Sequence, residues 1–319
     1  MPPTILVTGA SGALGQYLIP ELQRSKYRVR GHYSSRPGTA EGVDWQRMNF
    51  LETLDFSALV RGCDAVIHLA AETNRVPLMY RVNVEATAGL MAAAQSADSR
   101  YFGYASSIVV YGSPRRRVID ETTPLLDPRA PLIGQYRANP SMLEYARTKV
   151  LAERAIINLR STLNVDIYRP TLVADLDRLL EVGYWSTFRK LAVSYRRTQY
   201  IYVRDAVAAI LYLMRRGLGS PNPHSNVEAF NFADEDCGTY RDILREAYKV
   251  TRDRRYKLSI DLPMPMMLDL TKDALKYRQP TLRYSLGMLR IRNNKLLETG
   301  FRFPFGVKSA LEQALARSL

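Results

Sequence analysis

Tyr145 and Lys149 stand four residues apart, a spacing that puts a phenol and an ammonium on one face of a helix. A positive charge so placed can lower the phenol's pKa and suit the tyrosine to exchange a proton with a substrate oxygen. The apolar run Tyr101 to Ala105 ends in Ser106 and Ser107, two hydroxyls at the close of a strand. A serine that holds the oxygen, a tyrosine that moves its proton and a lysine that favours the phenolate make an acid–base apparatus for alcohol–ketone chemistry. Such chemistry needs an electron carrier, and the start of the chain offers a place for one. Ile5-Leu6-Val7 leads directly into Thr8-Gly9-Ala10-Ser11-Gly12-Ala13-Leu14-Gly15. Strand, glycine-rich turn and helix in that order present backbone N–H groups and a positive helix end to a pyrophosphate.

Each glycine has a reason. Gly9 permits the tight turn, Gly12 lets the pyrophosphate approach and Gly15 lets helix and strand pack closely. Ser11, Ala13 and Leu14 complete the cofactor-facing turn. The end of the second strand bears on which dinucleotide is held. An NAD enzyme usually carries Asp or Glu there against the ribose 2′-hydroxyl. Here Tyr33 takes that place, followed by Ser34, Ser35 and Arg36. An acid would repel a 2′-phosphate whereas hydroxyls and a guanidinium bind it, so NADP is expected, with NAD as the alternative.

These residues must be positioned by a larger frame. Candidate strands are Thr4 to Thr8, Tyr27 to Tyr33, Trp45 to Asn49, Ala65 to Leu69, Tyr101 to Ala105 and Val165 to Arg169. Helical stretches fall between them at Leu14 to Arg24, Thr53 to Val60, Val76 to Gln95 and Ser141 to Ser161. Short strands rich in Val, Ile and Tyr that alternate with helices give an α/β fold, a doubly wound parallel sheet of the Rossmann type. Ser141-Met142-Leu143-Glu144 reads as a capping box, which places Tyr145 in the first turns of its helix.

The alternation lapses over Gly112 to Asn139, a long, charged loop, and again after Pro170. There Thr171 to Tyr200 and Asp234 to Leu319 look mainly helical, while Arg204 to Arg215 reads as a helix and Ala229 to Ala233 as a strand returning to the sheet. The expected division is a dinucleotide-binding domain over residues 1–170, rejoined by 201–233, and a smaller, mainly helical substrate-binding region over 171–200 and 234–319.

Composition is that of a globular protein: 319 residues, 46% hydrophobic and 24% charged. The net charge of +14 is unusual, but the arginines are scattered and carry no zinc-finger spacing or RNA-binding aromatic signature. A solvated surface is therefore expected, with steering of an anionic ligand second and nucleic acid last. Cys63 and Cys237 are too few for a metal motif or disulfide framework and read as buried thiols in a reducing compartment. Met1-Pro2-Pro3 precedes an apolar run too short for a signal peptide or membrane span, so the expectation is a cytoplasmic protein with a small-molecule substrate.

The motifs together resemble the extended short-chain dehydrogenase/reductase family, also called the NAD-dependent epimerase/dehydratase family. They are Thr8 to Gly15, Asp64-Ala65-Val66-Ile67-His68-Leu69-Ala70-Ala71, Asn83-Val84, Ser106 to Gly112, Tyr145 with Lys149, Arg169-Pro170, Tyr200 to Ala206 and Phe230-Asn231-Phe232. The resemblance implies that Ser107, Tyr145 and Lys149 are catalytic and that Lys149 also binds the nicotinamide ribose. It further implies that Asn49 and Phe50 border the adenine, although the family more often has Asp at the first. Leu69, Ala70 and Ala71 would line the cofactor, and Asn83 would be mainly structural. Dimers are common in such a family, so a homodimer is left open.

Sugar dehydratases of the family resemble one another in an Asp-Glu pair after the catalytic Thr, where this chain has Ile108 and Val109, so elimination lacks its acid and base. Absence of the Asn-Val-Tyr-Gly-Pro continuation after Arg169-Pro170, and a resemblance of Leu262 to Leu268 to the dihydroflavonol-reductase and hydroxysteroid-dehydrogenase branches, favour a dehydrogenase or reductase. Tyr111-Gly112 and the basic charge, with Arg189, Arg196 or Arg197 as diphosphate ligands, fit the alternative of a nucleotide-sugar epimerase. A non-catalytic NADP-sensing protein is the third reading, disfavoured because Tyr145 and Lys149 are both present.

Overall fold

The structure is a computed structural model that describes residues 1–112, 114, 116–129, 140–159, 163–219, 227–258, 271, 275 and 289–317. Its strands are β1 (Thr4–Thr8), β2 (Arg28–Tyr33), β3 (Asp44–Arg47), β4 (Ala65–His68), β5 (Tyr101–Ala105), β6 (Val118–Ile119), β7 (Asn164–Pro170), β8 (Leu172–Ala174), β9 (Tyr200–Tyr202), β10 (Val227–Phe232) and β11 (Arg290–Ile291). Seven of them form one sheet in the order β10-β7-β5-β4-β1-β2-β3, and every pair in it is parallel. This is the doubly wound topology expected, with its switch point between β1 and β4.

Helices cover both faces, as a parallel sheet requires. On one face α1 (Gly15–Arg24) and α8 (Val203–Gly219) bury Leu18, Ile19, Leu22, Ile210 and Leu213 against Ile5, Val7 and Ile67. On the other, α2 (Ser57–Val60), α4 (Ala86–Ser96) and α5 (Pro140–Asn158) pack Leu59, Leu90, Met91, Ala152 and Ile156 against Leu6, Val66 and Phe102. Between β4 and α4 the chain passes through α3 (Val76–Tyr80) and a turn of π-helix at Arg81–Glu85, so the expected helix of residues 76–95 exists but carries a bulge. A third cluster lies after Pro170, where α6 (Leu176–Leu180), α9 (Tyr240–Thr251) and the helix Val307–Ala316 enclose Leu179, Tyr200, Leu244 and Leu311. The short α7 (Thr187–Val193) completes that region among the described residues.

Two expectations need correction. Residues 53–60 form only one helical turn, because Thr53 Oγ1 accepts the Asp55 N–H and Asp55 accepts from the Ser57 N–H at 3.0 Å, local bonds that compete with a helix. The stretch 171–200, expected to be mainly helical, also contains β8 and pairs it in parallel with β9. Apolar Leu172-Val173-Ala174 and Tyr200-Ile201-Tyr202 are short runs whose strand character is not separable from helix by periodicity alone. Both cysteines are buried and free as expected, while Leu262 to Leu268 lies outside the described residues. No described helix is long and apolar enough to cross a membrane.

Packing inside the sheet is tightest beside Gly103 on β5. A Cβ there would lie 2.0 Å from the hydroxyl of Tyr168, which is itself 2.5 Å from the Tyr101 hydroxyl, and Tyr101 donates to Asp166 at 2.9 Å. Burial pushes the Asp166 carboxyl up to about 7. Gly103→Ala should therefore lower unfolding free energy by about 2 kcal/mol in urea titrations, and adding Tyr168→Phe should restore part of it. An alanine tolerated without loss would contradict this packing.

Candidate active site

The glycine turn leaves β1 at the carboxyl edge of the sheet, where α/β folds hold their ligands. Gly9 has φ +65°, and a Cβ on it would come within 2.9 Å of the Ala70 nitrogen. The turn and the segment after β4 thus meet backbone to backbone, which brings Leu69 and Ala70 to the turn and leaves Ala71 exposed beside it. Gly12 closes the bend by donating to the Gly9 carbonyl at 2.9 Å, and a Cβ on Gly15 would lie 2.4 Å from the Ala10 carbonyl oxygen. Ser11, Gly12 and Ala13 are exposed, Leu14 is half-buried, and α1 begins at Gly15. Exposed backbone at a helix N-terminus with no side chain in the way fits an anionic pyrophosphate.

At the end of β2, Tyr33 packs edge-on against Trp45, while Ser34, Ser35 and Arg36 are exposed. Arg47 on β3 is exposed and in register with Tyr33, a second guanidinium at this edge that the reading of β2 alone overlooks. Asn49 is half-buried and bonded to Glu52 at 2.7 Å, and Phe50 turns inward, buried and stacked on His32 with ring centroids 4.3 Å apart. Phe50 therefore supports this wall from behind.

Ser107, Tyr145 and Lys149 gather beyond β5. Ser107 follows the strand end and accepts the Val109 N–H at 3.4 Å, which leaves its hydroxyl hydrogen to be donated to another oxygen. Tyr145 is the sixth residue of α5, within its first turns as the sequence predicts, and Glu144 accepts from Arg147 at 3.2 Å. Lys149 is buried, donates to the Ala105 carbonyl at 2.6 Å and holds its ammonium nitrogen 5.6 Å from the Tyr145 ring centroid.

Burial governs both ionisable groups. It pushes the Tyr145 phenol up to about 12 and the Lys149 ammonium down to about 7, with Glu153 acting the other way on the lysine. The expected lowering of the phenol by the ammonium does not come through, because desolvation disfavours the charged form of each.

Behind these groups runs a network that sequence reasoning missed. Ser106 donates to Glu153 at 2.5 Å, and Arg169 donates to both Glu153 oxygens at 3.1 and 2.7 Å. Arg169 also donates to Tyr111 at 2.9 Å, and Tyr111 donates to Asn231 at 2.7 Å. Glu153 lies one turn beyond Lys149 on the same face of α5, the one sequence signal that pointed to it. A second tether runs through the π-bulge. Buried Asn83 accepts the Glu72 N–H at 2.8 Å and donates to Thr148 at 3.1 Å, and Thr148 donates to the Tyr145 carbonyl at 3.0 Å. A bulge of this kind redirects a side chain that a regular helix would aim elsewhere.

Of the arginines considered for a diphosphate, Arg189 stacks 3.6 Å over Trp185, Arg196 is buried and Arg197 donates to the Glu235 carbonyl. Arg189 and Arg197 are therefore engaged with the protein's own groups.

Because Lys149 titrates near 7 in the native state and at 10.5 as a free group, the unfolded chain binds a proton that the native chain lacks between those values. Stability at this position therefore rises with pH across that window and is lowest below it. In denaturant titrations from about pH 6 to about pH 9, the wild type should gain stability relative to Lys149→Met. A pH-independent difference would exclude a neutral buried amine.

The model of the NAD dependent epimerase/dehydratase family matches residues 5–174. Sterol-4-alpha-carboxylate 3-dehydrogenase, decarboxylating, of Dictyostelium discoideum is 24% identical over 286 residues, covering 83% of this chain and 82% of its own. UDP-glucose 4-epimerase of Rhizobium leguminosarum bv. trifolii is 29% identical over 164 residues, 48% of this chain and 46% of its own. In fold, the chain is similar to a short-chain dehydrogenase/reductase superfamily protein from Agrobacterium tumefaciens solved with bound NAD. That likeness has a TM-score of 0.73 at 22% identity and covers 99% of this chain and 97% of the other. With its glycine turn, its parallel sheet and a family match that spans the first half of the sequence, the chain belongs to the NAD-dependent epimerase/dehydratase family.

Proposed function

We propose that the protein is an NADP-dependent oxidoreductase that interconverts a secondary alcohol and a ketone, with Tyr145 as the acid–base group. The observation that carries this reading is the gathering of Ser107, Tyr145 and Lys149 beyond the end of β5, one strand away from the Gly9–Ala70 contact. The nicotinamide, when bound, supplies or accepts the hydride. Ser107 donates to the substrate oxygen and fixes it. Tyr145, held protonated by burial, gives its proton to that oxygen during reduction and takes it back during oxidation. Lys149 binds the nicotinamide ribose and places a dischargeable amine next to the phenol. The region after Pro170, with residues 171–200 and 234–319, supplies the substrate pocket.

A dehydrogenase that aligns over most of both chains supports net oxidation or reduction. The partial match to a UDP-glucose 4-epimerase supports the second reading, in which the hydride returns to its own substrate. Purified protein assayed at ~340 nm against ketones and nucleotide sugars separates them, since only a reductase consumes NADPH stoichiometrically. Sugar isomerisation without net absorbance change would make the protein an epimerase, and absence of any turnover would leave a dinucleotide sensor.

Tyr145→Phe should keep dinucleotide affinity within about threefold and lower turnover about 10³-fold. Substantial residual turnover would remove Tyr145 from the chemistry. Cofactor choice is tested at the exposed edge of β2: Arg36→Glu should weaken NADP binding about tenfold and leave NAD binding nearly unchanged, by calorimetric titration. Equal loss of both would assign Arg36 another role.

A further inference from the structure

Within the wall that faces the dinucleotide, one titratable group is used by no step above. His32 is 2% exposed near the end of β2. Gly9 donates its N–H to His32 Nδ1 at 3.3 Å, and Ala10 donates its N–H to the His32 carbonyl at 3.0 Å. The other ring nitrogen, Nε2, lies 2.9 Å from the Met48 carbonyl. A backbone N–H can only donate, so Nδ1 is the acceptor and Nε2 carries the hydrogen given to Met48. The ring also stacks on Phe50 at 4.3 Å with an interplanar angle of 11°. One imidazole thus joins the first glycine of the turn to the Met48–Phe50 segment.

Resting on the oxidoreductase reading, we propose that His32 is a positioning residue for the dinucleotide. Its neutral imidazole holds Gly9 in the bend that binds the pyrophosphate, and its protonation loosens that bend and lowers cofactor affinity. A proton on Nδ1 sets a donor against the Gly9 N–H, so the bond is lost and two donors face each other in a part-buried place. Gly9 also packs closely on Ala70, whose nitrogen is 2.9 Å from where a Cβ would be. The displacement falls on the residues that follow, Ala10 to Gly12. An aliphatic side chain would pack on Phe50 equally well but would accept nothing from Gly9.

Few charged groups face this ring, and the one coupled to it is His68. On its own strand Arg30 pairs with Asp44 of β3 at 2.8 Å and also donates to Cys63. Gln46, its partner in register on β3, is uncharged. Glu52 is bonded to Asn49. His68 of β4, whose ring centroid is 6.3 Å from that of Phe50, is held far below its ordinary range by burial, by Lys149 of α5 and by His32 itself, and so stays neutral beside it. Burial lowers His32 from its ordinary range too, against the opposing bond to the Met48 carbonyl, and so favours the neutral ring.

The test compares wild type, His32→Asn, which keeps an acceptor near Nδ1, and His32→Leu, which has none. NAD serves as the probe because it has no group that titrates between about pH 5 and about pH 8, and binding is measured by calorimetry. Lys149, which titrates near 7, contributes to every profile alike, so wild-type affinity should fall about tenfold further than that of His32→Asn over that range, and His32→Leu should be weakened about tenfold already at pH 8. In the cofactor-free protein, the Gly9 amide resonance should titrate with the same midpoint as the His32 ring nitrogens. A Gly9 amide indifferent to the His32 titration, or identical pH profiles for wild type and His32→Asn, would overturn the proposal. Absence of NAD and NADP binding at every pH would overturn the oxidoreductase reading and the cofactor half of this one, whereas the Gly9 titration would still decide whether His32 governs the turn.

Discussion

The bidentate pair between Glu153 and Arg169, with the two side chains 0% and 6% exposed, is the interaction on which the arrangement depends. It fixes α5 against β7 one helical turn beyond Lys149, and through Ser106 it fixes the same helix against the end of β5. Tyr111 and Asn231 extend the constraint to β10. A buried ion pair gives little net stability compared with apolar packing, but it demands one geometry, because either ion alone would be left uncompensated. Such a pair suits a site whose parts come from strands and a helix far apart in sequence. It specifies where α5 sits more sharply than the small residues around it, such as Ala146 and Ala152, could do by packing.

Cofactor edge and catalytic edge are held by different physics. Around Gly9 and Gly15 the backbone is packed so closely that side chains are excluded, and the binding surface is made of peptide groups. Around Lys149 the surface is made of side chains, and desolvation sets their charge states. In the function proposed, the first edge would recognise a feature common to all dinucleotides, and discrimination between them would fall to exposed residues at the end of β2. These residues bear no load in the fold, so cofactor preference can vary without disturbing the sheet.

Much of this was legible in the sequence because each signal was local. Strands β1, β4, β5 and β7 are short apolar runs bounded by polar turns, and the glycine turn declares itself by spacing. Tyr145 and Lys149 were legible for the same reason, being one turn apart on a helix. What escaped were contacts that join distant residues. Glu153 reads as an ordinary surface glutamate until Arg169 is brought to it, and His32 reads as a strand residue until Gly9 folds back over its ring. The shortened helix at Ser57–Val60 escaped for another reason, since Thr53 and Asp55 form turns whose bonds are invisible to hydrophobic periodicity. After Pro170 the short apolar runs are equally compatible with strand and helix, and only pairing of β8 with β9 decides between them.

The strand order carries a consequence for how the chain is made. After β1, β2 and β3 have paired, each later strand of the large sheet adds to a free edge: β4 beside β1, then β5, β7 and β10 in turn. No strand has to be inserted between two that are already bonded. A sheet with this order can grow outward as the polypeptide leaves the ribosome, with only one hydrogen-bonding edge waiting on that side at any moment. The glycine turn and its β4 neighbour are complete within the first quarter of synthesis, well before α5 and Arg169 emerge. The glycine turn and the Tyr145–Lys149 helix are thus separated in time during the birth of each molecule, although both end at the carboxyl edge of one sheet when it is finished.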